Sequence, residues 1–196
     1  MKTDAARPDL APRRAPQRWE SSRLLLTPPA LTDARAIFAS YASDEEVTRY
    51  LSWPRHRTVS DSEAFVQFSL DEWSRRPAGP YLIRDRGDGS LVGSTGLYAM
   101  GEDACAMTGY VLAREVWGRG YATEALTAML QIAAVMGLEE LCAVCHAEHQ
   151  ASIRVLEKCG FSRDAGVIPP MSFPNLPVDA PQSVVRYSRK TSAVIS

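Results

Sequence analysis

Apolar and polar residues repeat with two different periods along the chain, and each change of period marks an element. Arg23-Leu-Leu-Leu-Thr27 is a short apolar run closed by Pro28-Pro29, which predicts a strand. Behind a Thr32-Asp33 cap, Ile37, Phe38 and Tyr41 recur at helical spacing, and Ser43-Asp-Glu-Glu46 opens a second short helix ending near Tyr50. Ser60-Asp-Ser-Glu63 reads as a capping box for a helix carrying Phe65, Val66, Phe68, Leu70 and Trp73. Tyr81–Arg84, Ser90–Tyr98 and Ala106–Ala113 read as a meander, its first turn built on Asp88-Gly89, whose glycine tolerates the positive φ of a tight hairpin.

The helical period returns at Thr123–Met136, with Leu126, Met129, Leu130 and Ala133 on one face and Gly137 at the C′ position. Leu141–His146 is a strand, Ala151–Cys159 a helix and Val184–Arg189 a last strand. Gly160 fits a left-handed helix ending that would fold Phe161 onto Leu156. This order, with six strands, predicts an α/β domain with a mixed sheet and helices on both faces. Its expected span is 21–190. Residues 1–20, with Pro8, Pro12, Pro16 and five basic residues, read as a flexible tail, and 191–196 as a C-terminal tail.

Composition narrows the function classes. The chain has 196 residues, 22 Lys+Arg against 23 Asp+Glu and a net charge of −1, which argues against a nucleic-acid partner. No apolar run approaches the ~18 residues of a membrane span, and the N-terminus lacks a secretory h-region. Four cysteines without an export signal point to reduced thiols and a cytoplasmic location. Cys142-Ala-Val-Cys145-His146 matches a haem-attachment spelling, but on a strand this spacing sends the two thiols to opposite faces. The same geometry argues against zinc on Cys142, Cys145, His146 and His149, so neither metal nor haem is expected.

The clearest chemistry lies in Tyr110–Leu126. A strand runs out, Gly118-Arg119-Gly120 follows, and a long helix begins at once. Two glycines admit close backbone approach, and first-turn N–H groups without intrahelical acceptors suit a phosphate or pyrophosphate. The spelling is neither a Walker A loop nor a dinucleotide fingerprint.

Gly109-Tyr-Val-Leu112, Trp117-Gly-Arg-Gly-Tyr-Ala-Thr-Glu-Ala125 and Ala151-Ser-Ile-Arg-Val-Leu-Glu-Lys-Cys-Gly-Phe161 resemble the GCN5-related N-acetyltransferases. Within that family they are most similar to the branch of the ribosomal-protein N-terminal alanine acetyltransferases. Arg23-Leu-Leu-Leu-Thr27 and Arg186-Tyr-Ser188 fit the same branch, so the resemblance spans about residues 20–190. It implies an acyl-CoA N-acyltransferase fold with a mixed, mostly antiparallel seven-stranded sheet and helices on both faces, acetyl-CoA as cosubstrate and acetyl transfer to a primary amine, either a peptide N-terminus or a small molecule. Tyr110, Val111 and Leu112 would pair with the pantetheine arm, and Gly118, Arg119, Gly120, Tyr121, Ala122 and Thr123 would hold the pyrophosphate. An N–H near Leu112 could stabilise the oxyanion.

The chain departs from the family pattern in several places. His149 stands where an Asn is usual, Leu156 where some relatives carry a Tyr, and Met107 and Val144 where relatives carry a Glu. Ser152 stands where the branch has a serine near the CoA sulfur, to orient or protonate it. His149 could anchor pantetheine or act as acid or base. Glu102-Asp103 could offer the acceptor a carboxylate, and Met171 and Phe173 could cover its entrance. A monomer or homodimer is expected. The alternative reading is an acetyl-CoA-binding sensor without turnover.

Overall fold

The computed structural model describes residues 13–100, 105–166, 168 and 171–191. Trp19–Glu20 (β1) and Leu24–Thr27 (β2) open the chain, and a short turn leads into the helices Ala34–Ile37 (α1) and Glu45–Thr48 (α2), joined by the π-helical turn Phe38–Ala42. Val59–Arg75 (α3) precedes the meander of Pro80–Asp85 (β3), Leu91–Met100 (β4) and Cys105–Leu112 (β5). Tyr121–Met136 (α4), Glu140–His146 (β6), Gln150–Lys158 (α5), Ser162–Asp164 (β7) and Val184–Lys190 (β8) complete the fold.

These strands form one mixed sheet in the order β1-β2-β3-β4-β5-β6-β8-β7. It has eight strands, two more than the six that the periodicity names and one more than the seven that the resemblance implies. The short strands Trp19–Glu20 and Ser162–Asp164 carry too few residues to show an alternation, and only edge pairing reveals them. Tyr81, Leu82 and Ile83 are consecutive and fully buried, so both faces of the sheet are covered. On one face Trp73 of α3 meets the Tyr81 ring edge-on at 4.9 Å. Leu126, Met129, Ile132 and Ala133 of α4 are fully buried in the core.

Helix ends follow local chemistry. Phe161 N–H donates to Leu156 O at 3.0 Å and Gly160 N–H to Glu157 O at 2.9 Å, the paired bonds of a Schellman ending. Leu138 and Gly137 repeat the pattern on Ala133 and Ala134 at the end of α4. The long helix α3 starts earlier than Ser60-Glu63 implies. Asp61 accepts from the N–H groups of Arg57 and Thr58, each at 2.8 Å, so the cap is Thr58 with Asp61 three residues on.

The N-terminal segment departs most from expectation. Residues 13–20 are docked rather than free. Ala15 is buried, its N–H donates to Pro77 O at 2.7 Å, and the Tyr81 hydroxyl donates to Pro16 O at 2.6 Å. Arg14 donates to Trp73 O at 3.0 Å, and Trp19 and Glu20 pair with Leu26 and Leu25. Prolines here shape an extended strap whose partners lie far along the chain. Among the cysteines, Cys145 and Cys159 are free and buried, whereas Cys142 is disulfide-bonded, against the expectation of reduced thiols throughout. Among the described residues no helix is long and apolar enough to cross a membrane.

Deleting residues 1–18 removes the Ala15 and Pro16 contacts and leaves the Tyr81 hydroxyl without its acceptor. The expected cost is about 2 kcal/mol, or roughly 4–8 °C in melting temperature, read by calorimetry. An unchanged melting temperature would show that the strap contributes nothing.

Candidate active site

A single feature of the sheet creates the site. Strands β5 and β6 pair in parallel only at Cys105↔Glu140, Ala106↔Leu141 and Met107↔Cys142. Beyond that point β5 stays with β4 as far as Gly93↔Leu112, while β6 stays with β8 as far as His146↔Val184. The close approach of β4 to β5 needs Gly93, where a Cβ would collide with Val111 O. Ala113 N–H donates to Val92 O at 2.8 Å, which sets the alternation along β5. The N–H groups of Thr108, Tyr110 and Leu112 therefore turn away from β4, toward the gap.

That gap is a cleft of about 970 Å³. Met107–Val111 of β5 and Ala143–Cys145 of β6 form its inner end, with His149, Ser152 and Leu156 beside them. The loop Tyr50–Thr58, one face of α3, Tyr98, Met171 and Phe173 form its outer end. Of the residues singled out by sequence, Tyr110, Val111, His149 and Ser152 come together in this cleft. Leu112 and the Gly118–Thr123 loop do not line it; the loop follows β5 through the turn Arg114–Val116. Met107, Val144 and Leu156 do line the cleft, which places apolar side chains where relatives carry ionisable ones. Glu102 and Asp103 lie outside the described residues.

The Tyr110 hydroxyl sits 3.2 Å from Ser152 Oγ. Burial pushes the Tyr110 phenol up, opposed by the Ser152 hydrogen bond, so it stays protonated at neutral pH. Burial likewise pushes the Cys145 thiol up to about 11. Two protonated hydroxyls thus face the inner cleft. His149 lies flat on the Tyr50 ring at 4.9 Å, and Tyr50 stacks on His146 at 5.1 Å. Burial, with His146 alongside, lowers the His149 pKa to about 4, so its ring is neutral at pH 7 and a poor base. His146 has both nitrogens engaged, accepting from Glu148 N–H at 3.2 Å and facing Pro181 O at 2.7 Å, a structural role.

The Gly118–Thr123 loop has the backbone its spelling implies. Gly118 and Gly120 adopt φ of 75° and 79°, left-handed values that glycine takes without a Cβ penalty. Helix α4 begins at Tyr121, and its first intrahelical bond is Glu124 N–H to Gly120 O at 3.1 Å. The N–H groups of Tyr121, Ala122 and Thr123 thus have no acceptor within the helix. Arg23 braces this turn from β1–β2. It donates to Arg119 O at 2.8 Å and to Glu124 at 2.7 Å, and lies over the Tyr121 ring at 4.5 Å. Burial acts to raise the Glu124 pKa, but hydrogen bonds from Ser21 and Arg23 outweigh it and hold the carboxyl below its usual range.

Sequence reasoning missed one cleft residue and the side chain that holds its loop in place. His56 lines the outer end, with Nδ1 2.7 Å from the buried Ser62 Oγ and its ring against Trp53 at 5.2 Å. It sits in an aperiodic loop, so no spacing rule marks it. Asn175 clamps that loop: its amide donates to Thr48 O at 2.8 Å and Trp53 O at 2.9 Å, and its carbonyl accepts from Arg55 N–H at 2.8 Å. These contacts bridge segments more than a hundred residues apart, which no local signal can announce.

The acetyltransferase (GNAT) domain profile matches residues 23–162. The chain belongs to the GNAT acetyltransferase family. An uncharacterized N-acetyltransferase of Bacillus subtilis (strain 168), YoaA, is 29% identical over 147 residues, covering 74% of this chain and 82% of that protein. Among solved structures, a GNAT acetyltransferase from Bacillus anthracis superposes with TM-score 0.74 at 24% identity, over 89% of this chain and 98% of that one. The ribosomal L7/L12 alpha-N-protein acetyltransferase RimL in complex with coenzyme A superposes with TM-score 0.75 at 20% identity, over 88% and 97%. These likenesses fit the observed sheet. Among the described residues no cluster of His, Cys, Asp or Glu could hold a metal ion.

The three histidines make this GNAT site's protonation testable. His149 should titrate near pH 4 and His56 below its ordinary 6.5 in a ring-proton NMR titration. An unfolded His149 titrates near 6.5, so unfolding takes up a proton between the two values. Stability is therefore expected to fall as pH drops from about 6.5 to about 4, and His149→Gln should flatten that fall. A His149 midpoint at 6 or above would contradict the burial argument.

Proposed function

We propose that this GNAT enzyme transfers the acetyl group of acetyl-CoA to a primary amine, a peptide N-terminal α-amine or a small-molecule amine, by direct attack within the β5/β6 cleft. The observation that carries this reading is the set of Thr108, Tyr110 and Leu112 N–H groups turned toward the gap where β6 has diverged. An extended amide-bearing arm such as pantetheine pairs with such an edge as an added strand would. The exposed turn Gly118–Gly120 and the first turn of α4 supply the anion site, with N–H groups that have no acceptor within the helix and the Arg119 charge.

The neutral amine attacks the thioester carbonyl carbon, forming the new C–N bond. The Leu112 or Tyr110 N–H supports the developing oxyanion. The C–S bond then breaks, the amine gives its proton to water, and the departing sulfur takes a proton relayed through the Ser152 and Tyr110 hydroxyl pair, which the same water reprotonates. His149 serves this scheme as a neutral anchor for pantetheine, because a ring with pKa near 4 holds a proton too weakly to act as base at pH 7. An α-amine, with pKa about 8, is partly neutral near pH 7 and needs modest help at most.

The apolar Met107 and Val144 favour one rival, an acetyl-CoA-binding module without turnover. A thiol-release assay across peptides, polyamines and small amines separates the two. The enzyme frees CoA with at least one acceptor; the silent module binds acetyl-CoA and frees none.

Gly120→Glu should abolish acetyl-CoA binding by calorimetry, since its side chain would occupy and repel the pyrophosphate position. Gly120→Asn, which tolerates left-handed φ, should retain binding and so isolate charge from backbone strain. Parent-like affinity in Gly120→Glu would remove the phosphate role of the loop. Ser152→Ala should lower kcat about tenfold with the acetyl-CoA KM little changed, and an unaltered kcat would assign the proton elsewhere.

A further inference from the structure

The outer half of the cleft carries a chemical signature of its own. Helix α3 bears two distinct stripes. Ser62, Val66, Ser69 and Trp73 are buried and face the core. Asp61, Ala64, Phe65 and Phe68, at i, i+3, i+4 and i+7, face the cleft instead. Phe65 is partly buried against the core, whereas core packing does not account for Phe68, which remains 50% exposed. Across from it stands Tyr98, 43% exposed. Trp53, Met171 and Phe173 close the ring of apolar side chains. Two exposed aromatics, Phe68 and Tyr98, share one concavity with the more buried Trp53, Phe65 and Phe173, which marks a binding surface rather than scattered surface apolarity.

This surface is held in place before any acceptor arrives. Asn175 ties the Trp53 loop to the segment bearing Phe173, Phe173 N–H donates to Gln182 Oε1 at 2.9 Å, and the Phe173 ring meets His146 edge-on at 4.9 Å. Charge is distributed against polycations. Among the described lining residues, Asp61 is the one carboxylate, and its Oδ2 already accepts from Arg57 N–H, Thr58 N–H and the Thr58 hydroxyl. Arg55 and Arg57 line the same end, and Glu45, which pairs with Arg55 at 2.8 Å, does not.

We infer that the acceptor is a monoamine carrying an aromatic or branched aliphatic body, seated on Phe65, Phe68, Tyr98 and Phe173, and not a polyamine. The inference rests on the acetyl-transfer reading and names its substrate class. A polyamine would leave its distal ammonium beside two guanidiniums and a single carboxylate, one oxygen of which is already taken by the α3 cap, with aromatic faces as its remaining partners. A benzyl or isobutyl group instead removes apolar surface from water on both partners.

Three bisubstrate conjugates test the substrate class directly: CoA joined through an S-acetyl linker to the amine of phenylalaninamide, of glycinamide, or of spermidine. Calorimetry on the full chain should show the phenylalaninamide conjugate binding at least about tenfold tighter than the glycinamide conjugate. The spermidine conjugate should show no gain over glycinamide. Phe68→Glu, at a half-exposed helix position the fold does not need, should reduce the phenylalaninamide advantage to under about threefold while glycinamide affinity stays within about twofold. Equal or tighter binding of the spermidine conjugate, or an advantage that survives Phe68→Glu, would overturn the inference while leaving acetyl transfer intact. Failure of CoA and of all three conjugates to bind would instead overturn the acetyl-transfer reading beneath it.

Discussion

The parting of β5 from β6 after three residue pairs is the constraint on which the rest of the structure depends. Each strand remains fully paired on its other side, β5 with β4 and β6 with β8, so the gap costs no collapse of either half-sheet. Backbone groups that a continuous sheet would have consumed become available along the gap. An edge inside a protein normally invites aggregation or must be covered. Here it is lined by α5, the Tyr50–Thr58 loop and the Phe173 segment.

Two kinds of support hold the gap's surroundings. At the α4 end, Arg23 links β2 to the first helical turn through Arg119 O and Glu124, so the glycine loop is fixed by a strand remote in sequence. At the other end, Asn175 couples the Phe173 segment to the Trp53 loop. Both devices use side chains with several hydrogen-bonding groups to bind backbone that has no ladder partner. Positioning of this sort limits the reorganisation needed when ligands bind.

Protonation within the cleft follows from desolvation more than from charge. Tyr110 and Cys145 are pushed up and His149 and His56 down, each with burial as the leading cause. Every one of these shifts favours the neutral form. The result is a cleft with neutral hydroxyls and imidazoles inside and cations at its outer end, suited to a reaction in which a neutral amine is the nucleophile.

Much of this was legible in the residues themselves. Strand and helix periods placed nearly every long element, and the Schellman endings at Gly137 and Gly160 were readable because they depend on neighbours a few positions apart. The Gly118–Gly120 loop was visible for the same reason: its chemistry is local backbone freedom at a helix start. What sequence could not supply was anything set by distant partners. The strap at Ala15 and Pro16 looked like a tail because its hydrogen bonds go to Pro77 and Tyr81. Strands of two or three residues at the sheet edges have too few positions to show a period. His56, Asn175 and the second face of α3 acquired their places only when α3, the 171–183 connection and β4 came together around the cleft. Local periodicity thus determined the elements and the glycine loop, whereas the cleft, its neutral interior and its apolar outer wall arose from tertiary packing, because burial and long-range hydrogen bonding have no signature along the chain.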